Sequence, residues 1–168
     1  MKKQLSILAI MGIMLAQASP TSAEPKAVQA TVKQLTIQEL IAPQVRSRHM
    51  DQVIAKLKKQ VGRTWYVFSG HTPAGWDCSG LTMWAYEQLG VEIPHSANKQ
   101  AHIGTVVKKP MVGDLVLFGY GNSFFHASIY IGNNKVIHAG FRKGTTTSVL
   151  DLNSASVKNT NIRFVRVG

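Results

Sequence analysis

Gly75-Trp76-Asp77-Cys78-Ser79-Gly80-Leu81-Thr82-Met83-Trp84-Ala85-Tyr86-Glu87-Gln88-Leu89-Gly90 is the stretch where loop gives way to helix. Gly70 through Gly80 is rich in Gly, Pro, Thr and Ser, the composition of a loop. Asp77 reads as an N-cap, because its side-chain oxygen can accept from the free N–H groups of a first helical turn. A helix from Cys78 to Leu89 then puts Leu81, Trp84, Ala85 and Leu89 on one face, and Gly90 ends it. Upstream, Met50, Val53, Ile54, Leu57 and Val61 recur at the spacing of one helical face, with Gly62 as the stop. Lys56, Lys58, Lys59 and Gln60 fall on the other side, as a solvated face would. Beyond residue 112 the period becomes that of strands. Leu115–Phe118, Ala127–Ile131, Lys135–Ile137, Thr146–Leu150 and Ile162–Val167 are short, rich in β-branched and aromatic residues, and separated by Gly/Asn turns. Gly132-Asn133-Asn134 marks a hairpin. Helices followed by a meander of about five to six strands predict an α+β domain, with the N-terminal helices packed on an antiparallel sheet.

Composition narrows the function. The chain of 168 residues has room for one domain, and 45% hydrophobic against 16% charged residues argues for a packed core rather than disorder. Nineteen Lys+Arg against eight Asp+Glu give +11, a charge that suits an acidic partner: nucleic acid, an anionic membrane or an acidic wall polymer. The basic residues are scattered and no nucleic-acid motif is present, which argues against nucleic acid. A single cysteine excludes an intramolecular disulfide and a four-cysteine zinc site.

Lys2 and Lys3 precede an uncharged apolar run, Leu5–Ala16, followed by the small residues Ala16-Gln17-Ala18 and Thr21-Ser22-Ala23. Residues 1–23 therefore read as a secretory signal peptide. The run is shorter than the ~20 residues a bilayer span needs. The alternatives are an uncleaved anchor or a buried helix. No cysteine follows the run, so no lipid anchor is expected there. The expectation is a secreted, soluble protein of charge +9 without a stable membrane anchor, residing at the cell wall or in the periplasm. Residues 24–49 read as a linker or arm, and 50–168 as the domain.

The chemistry centres on Cys78. An exported protein with one unpaired cysteine keeps it for intermolecular pairing or reactivity, unless it is simply a small buried hydrophobe. A helix N-terminus is a sensible place for a nucleophilic thiolate, since unpaired N–H groups there stabilise an anion. His126 should open one strand and His138 close the next, so an antiparallel hairpin brings them together at one sheet end. With Cys78 packed on that sheet, the three form a nucleophile, a base and an orienting group. Taken alone, a histidine at a strand end is more often an ordinary surface or hydrogen-bonded residue than a catalyst. Zinc on Cys78, His126 and His138 is disfavoured, because no second ligand lies within two to five positions of any of them. His49, His71, His95 and His102 have no partner in the sequence pattern and are expected at the surface.

Five segments carry a resemblance. Tyr66-Val67-Phe68-Ser69-Gly70, Gly75-Trp76-Asp77-Cys78-Ser79-Gly80-Leu81, Ile93-Pro94-His95-Ser96, Gly113-Asp114-Leu115-Val116 and His126-Ala127-Ser128-Ile129-Tyr130-Ile131-Gly132, the last continued by Val136-Ile137-His138-Ala139, together resemble the NlpC-type cysteine peptidases of bacteria and phages. The resemblance covers about residues 50–167. It implies a papain-like fold and hydrolysis of peptidoglycan stem peptides, by family habit at the γ-D-glutamyl–diamino acid bond; no cofactor or metal is expected from the spacing of the residues. By motif position it makes Cys78 the nucleophile, His126 the general base and His138 the residue orienting His126. Tyr66 would help hold the substrate or oxyanion. Asp77 and Ser79 would line the subsite for a free amino end, though helix capping accounts for both equally well. The implied partners are stem peptides, with anionic wall polymers attracted by the net charge in a salt-dependent way. Relatives usually have two glycines where this chain has Ser69-Gly70, and often arginine where it has His95. A non-catalytic wall-binding module and an amidase cutting the sugar–peptide link are the competing readings.

Overall fold

The computed structural model describes residues 37–168; the expected signal segment and the first part of the arm lie outside the described residues. Helix α1 (Ile37–Lys58) starts well before Met50, so the later part of the expected arm is helical. Pro43 and the weak apolar spacing before Met50 concealed this in the sequence. Met50, Val53, Ile54 and Leu57 are buried as their spacing requires, each worth roughly 1.5–3 kcal/mol of apolar burial. Val61 is exposed, because the helix has already ended at Lys58.

The loop expected between residues 70 and 80 contains a short hairpin, β1 (His71–Thr72) and β2 (Gly75–Trp76), directly before helix α2 (Cys78–Glu87). Trp76 is fully buried, and its indole Nε1 donates to Thr147 Oγ1 at 2.8 Å. The residue preceding the Asp77–Cys78 turn is thus pinned to a distant part of the chain. Asp77 is extended (φ −90°, ψ −176°) and accepts from the Gly80 N–H, as an N-cap should. A Cβ on Gly80 would lie 1.9 Å from the Gly70 carbonyl oxygen, so only glycine lets the preceding loop rest on the first turn of α2. Leu81 and Ala85 are fully buried, joined by Thr82 and Tyr86, while Trp84 and Leu89 are half-buried. A short helix α3 (Ala97–Gln100) follows, capped by Ser96.

The sheet has six antiparallel strands: β3 (Thr105–Val107), β4 (Leu115–Tyr120), β5 (Ser123–Tyr130), β6 (Lys135–His138), β7 (Ser148–Asp151) and β8 (Asn161–Arg166). Their order is β3-β8-β4-β5-β6-β7. The expected meander therefore holds for β4 to β7 only. β8 crosses back to pair with β4 and β3. Val157, in the crossing segment, is buried with Val116, Phe118 and Val136 on one sheet face. Leu115, Leu117, Ala127 and Ile129 pack with α1 and α2 on the other. This is the α+β, papain-like arrangement, with the cysteine-bearing helix against an antiparallel sheet.

One irregularity decides which residues of β5 face the helices. Phe118 pairs with His126 but Gly119 pairs with Phe124, so Phe125 is an extra residue in β5 with no partner on β4. This β-bulge reverses the side-chain alternation. Phe124 joins Ala127 and Ile129 in the cluster around α2, although an even spacing would put it with His126. His126 shares the opposite face with Phe118 and Tyr130.

Candidate active site

Cys78, the first residue of α2, is almost fully buried. Its Sγ lies 3.9 Å from the carbonyl oxygen of Phe125, the bulged residue. The Ala127 N–H also acts on the thiol, so Cys78 meets the β5 backbone on both sides of His126. Burial is the largest influence and pushes the thiol above its ordinary pKa; the negative charge of Asp77 adds to this. The N–H groups of Ala127, Ser79 and Cys78 itself act in the opposite sense. The helix-terminal stabilisation expected from the sequence is present but outweighed, and the resting group is a neutral thiol.

His126 does not open its strand, because β5 begins earlier, at Ser123. It does meet His138, which closes β6: Nε2 of His126 lies 3.0 Å from Nδ1 of His138. The far side of His138 is also engaged, with Nε2 at 3.0 Å from Ser148 Oγ. Phe141 covers both rings, at centroid distances of 4.5 and 4.8 Å. Phe118 flanks His126 at 5.8 Å. Burial, with His138 adding to it, lowers the pKa of His126 to about 3, and burial lowers that of His138 to about 4. Both imidazoles are therefore neutral at pH 7.

These shifts tie stability to pH. Below pH 6.5 the unfolded chain takes up two protons that the folded histidines refuse until the pH nears 4 and 3, so stability falls with falling pH across that window. Each histidine is expected to cost about 2 kcal/mol between pH 7 and pH 5. Urea unfolding at the two pH values checks this. Equal stability at both would contradict the neutral, buried pair.

Asp77 organises the other side of the cysteine. Its Oδ1 accepts from the Gly80 N–H at 2.8 Å and from the Ser79 hydroxyl at 3.0 Å, and stands 2.9 Å from His95 Nε2. Oδ2 accepts from the Ser69 N–H at 2.9 Å. Ser69 has a left-handed φ of +59°, where glycine would be unstrained, and the Asp77 contact offsets a cost of roughly 1–2 kcal/mol. Asp77 and Ser79 are both buried in this capping network. His95 corrects the sequence expectation: it is half-buried and paired with Asp77, a contact between distant segments that no local spacing signals. His102 is exposed as expected, yet lies 3.1 Å from Arg163. His49 and His71 are exposed. Tyr66 is half-buried, and its phenol is held above its ordinary pKa by burial first and then by Cys78 and Asp77, so it stays a hydrogen-bond donor beside the thiol. Among the described residues no group of three or more His, Cys, Asp or Glu side chains converges as a metal site.

Ser148, Phe141 and the bulged Phe125 were not singled out from the sequence. Ser148 stands opposite His138 in the β6–β7 ladder, but the long connection between those strands leaves the register unreadable in advance.

Comparison with known proteins places the chain. The NlpC/P60 family profile matches residues 62–166. A Mycobacterium tuberculosis protein named "Probable endopeptidase" is 40% identical over 89 residues, which are 52% of this chain and 22% of that one. The murein DD-endopeptidase MepS/murein LD-carboxypeptidase of Escherichia coli is 39% identical over 89 residues, 51% of this chain and 47% of that one. The match thus spans less than half the length of either relative. The crystal structure of the NlpC/p60 domain of the peptidoglycan hydrolase SagA superposes with a TM-score of 0.58 at 29% identity, covering 70% of this chain and 98% of that one. With a family profile spanning most of the chain and a shared fold, the chain belongs to the NlpC/P60 family.

Proposed function

We propose that the protein is a cysteine endopeptidase that hydrolyses peptidoglycan stem peptides at the γ-D-glutamyl–diamino acid bond. The observation that carries this reading is the thiol of Cys78 at a helix start, held against β5 on both sides of His126, with His126 bonded to His138. His126 takes the thiol proton as the sulfur attacks the peptide carbonyl. The resulting oxyanion is met by N–H groups at the start of α2 and by the Tyr66 hydroxyl, each such donor being worth roughly 3–4 kcal/mol. His126 returns the proton to the leaving amine, and an acyl-enzyme remains. Water, deprotonated by His126, then releases the acid and restores the thiol. Asp77 and Ser79, with His95 on the same carboxylate, would face the free amino end of a stem peptide. Residues 1–23 would export the protein, and its positive charge would draw it to anionic wall polymers.

Mass spectrometry of purified muropeptides after incubation with the protein tests this. Fragments ending at D-glutamate are the expected products. An intact stem peptide freed from its sugar would make the protein an amidase, and unchanged masses across several peptidoglycan types would favour a binding module.

A further inference from the structure

His138 and Ser148 face each other as partners in the β6–β7 ladder, and their side chains meet at 3.0 Å. His138 meets His126 at the same distance through its other ring nitrogen. A neutral imidazole carries one proton, on one nitrogen or the other. The three-residue chain therefore has two self-consistent arrangements. In the first, the Ser148 oxygen accepts from His138 Nε2–H, His138 Nδ1 accepts from His126 Nε2–H, and His126 Nδ1 keeps a lone pair. In the second, the Ser148 hydroxyl donates to His138 Nε2, His138 Nδ1–H donates to His126 Nε2, and His126 carries its proton on Nδ1. Only the first leaves His126 a nitrogen that can take a proton from a thiol, because Nε2 is already engaged with His138 in both. The rings are almost fully buried and covered by Phe141, so no bulk water competes for these positions.

We propose that Ser148 is a positioning residue that supplies the acceptor for His138 Nε2–H on which the first arrangement depends, the one of its two possible bonds to His138 that leaves His126 Nδ1 basic. The assignment rests on the peptidase reading, since it gives His126 the base role. Long-range proton–nitrogen NMR of the histidine rings in the nitrogen-15-labelled full chain reports the tautomers directly, with His126→Gln and His138→Gln assigning the signals. Both rings are expected to carry their proton on Nε2 in the wild type and in Ser148→Thr. In Ser148→Ala, His138 is expected to lose this single tautomer. With muropeptide substrate, Ser148→Ala is expected to lower kcat about fivefold, the worth of one neutral hydrogen bond, with KM within about twofold, and Ser148→Thr to restore it. An Nδ1–H tautomer at either ring of the wild type overturns the proposal, as does a Ser148→Ala variant with unaltered tautomers. Absence of cleavage by the wild type would defeat the peptidase reading, whereas the tautomers judge Ser148 without any substrate.

Discussion

Cys78→Ala is expected to remove cleavage of muropeptides altogether, lowering turnover by at least about 10⁴-fold, the scale lost when a covalent nucleophile is deleted. The reason is chemical rather than architectural. Without Sγ no acyl-enzyme can form, and neither Ser79 nor Tyr66 is placed to replace it: the Ser79 hydroxyl is committed to Asp77. The fold should survive. The change deletes one sulfur atom, which lies 3.9 Å from the Phe125 carbonyl and within the influence of the Ala127 N–H, so the stability cost should be about 1 kcal/mol. Binding to sacculi should persist, because it depends on the retained surface and charge. Product masses and a pelleting assay on the same preparation check both halves. Cleavage retained in this variant would defeat the mechanism outright.

His126→Gln is expected to cost about 10²–10⁴-fold in kcat, the range a positioned general base supplies. Glutamine keeps a donor for His138 but has no nitrogen able to take a proton from the thiol. A base at His126 would matter all the more in the wild type because Cys78 is buried beside Asp77 and rests as a thiol. Alkylation of Cys78 should therefore become slow in the variant and recover only well into the alkaline range. The same substitution should make the protein less acid-sensitive. One of the two protons refused by the folded state is gone, so about 2 kcal/mol of the loss between pH 7 and pH 5 should disappear. A variant that loses activity while keeping the full acid sensitivity would show that the buried neutral group had been assigned to the wrong ring.

Local chemistry was legible in the sequence; long-range geometry was not. Asp77 as a cap and Cys78 as the start of a helix follow from cap preferences within one turn, and both are found there. The hairpin through Gly132-Asn133-Asn134 joins β5 to β6 as its turn residues signal, and Asn133 and Asn134 adopt positive φ. That hairpin brings His126 and His138 together. Lost to sequence reading was whatever depends on non-neighbours. β3 is three residues long and gains its place from pairing with β8 near the other end of the chain. β5 starts at Ser123, ahead of the expected Ala127, because Gly121-Asn122 closes a second tight hairpin between β4 and β5. His95 reaches Asp77, and Ser148 reaches His138, only after the whole sheet and helix layer have assembled.

The bulge at Phe125 makes the site a matter of counting as much as of residue identity. Phe124 before it and Ala127 after it both face the helical layer although an odd number of positions separates them, and His126 is left on the opposite face with Phe118. Deleting one residue there would leave every chemically important side chain in the sequence while turning one half of the strand over relative to the other. Two chains with identical cysteine and histidine motifs can therefore differ in which residues of β5 face the helix that carries Cys78, through the odd or even length of the segment between Gly121 and His126. Parity in that segment is invisible to any tally of matching residues.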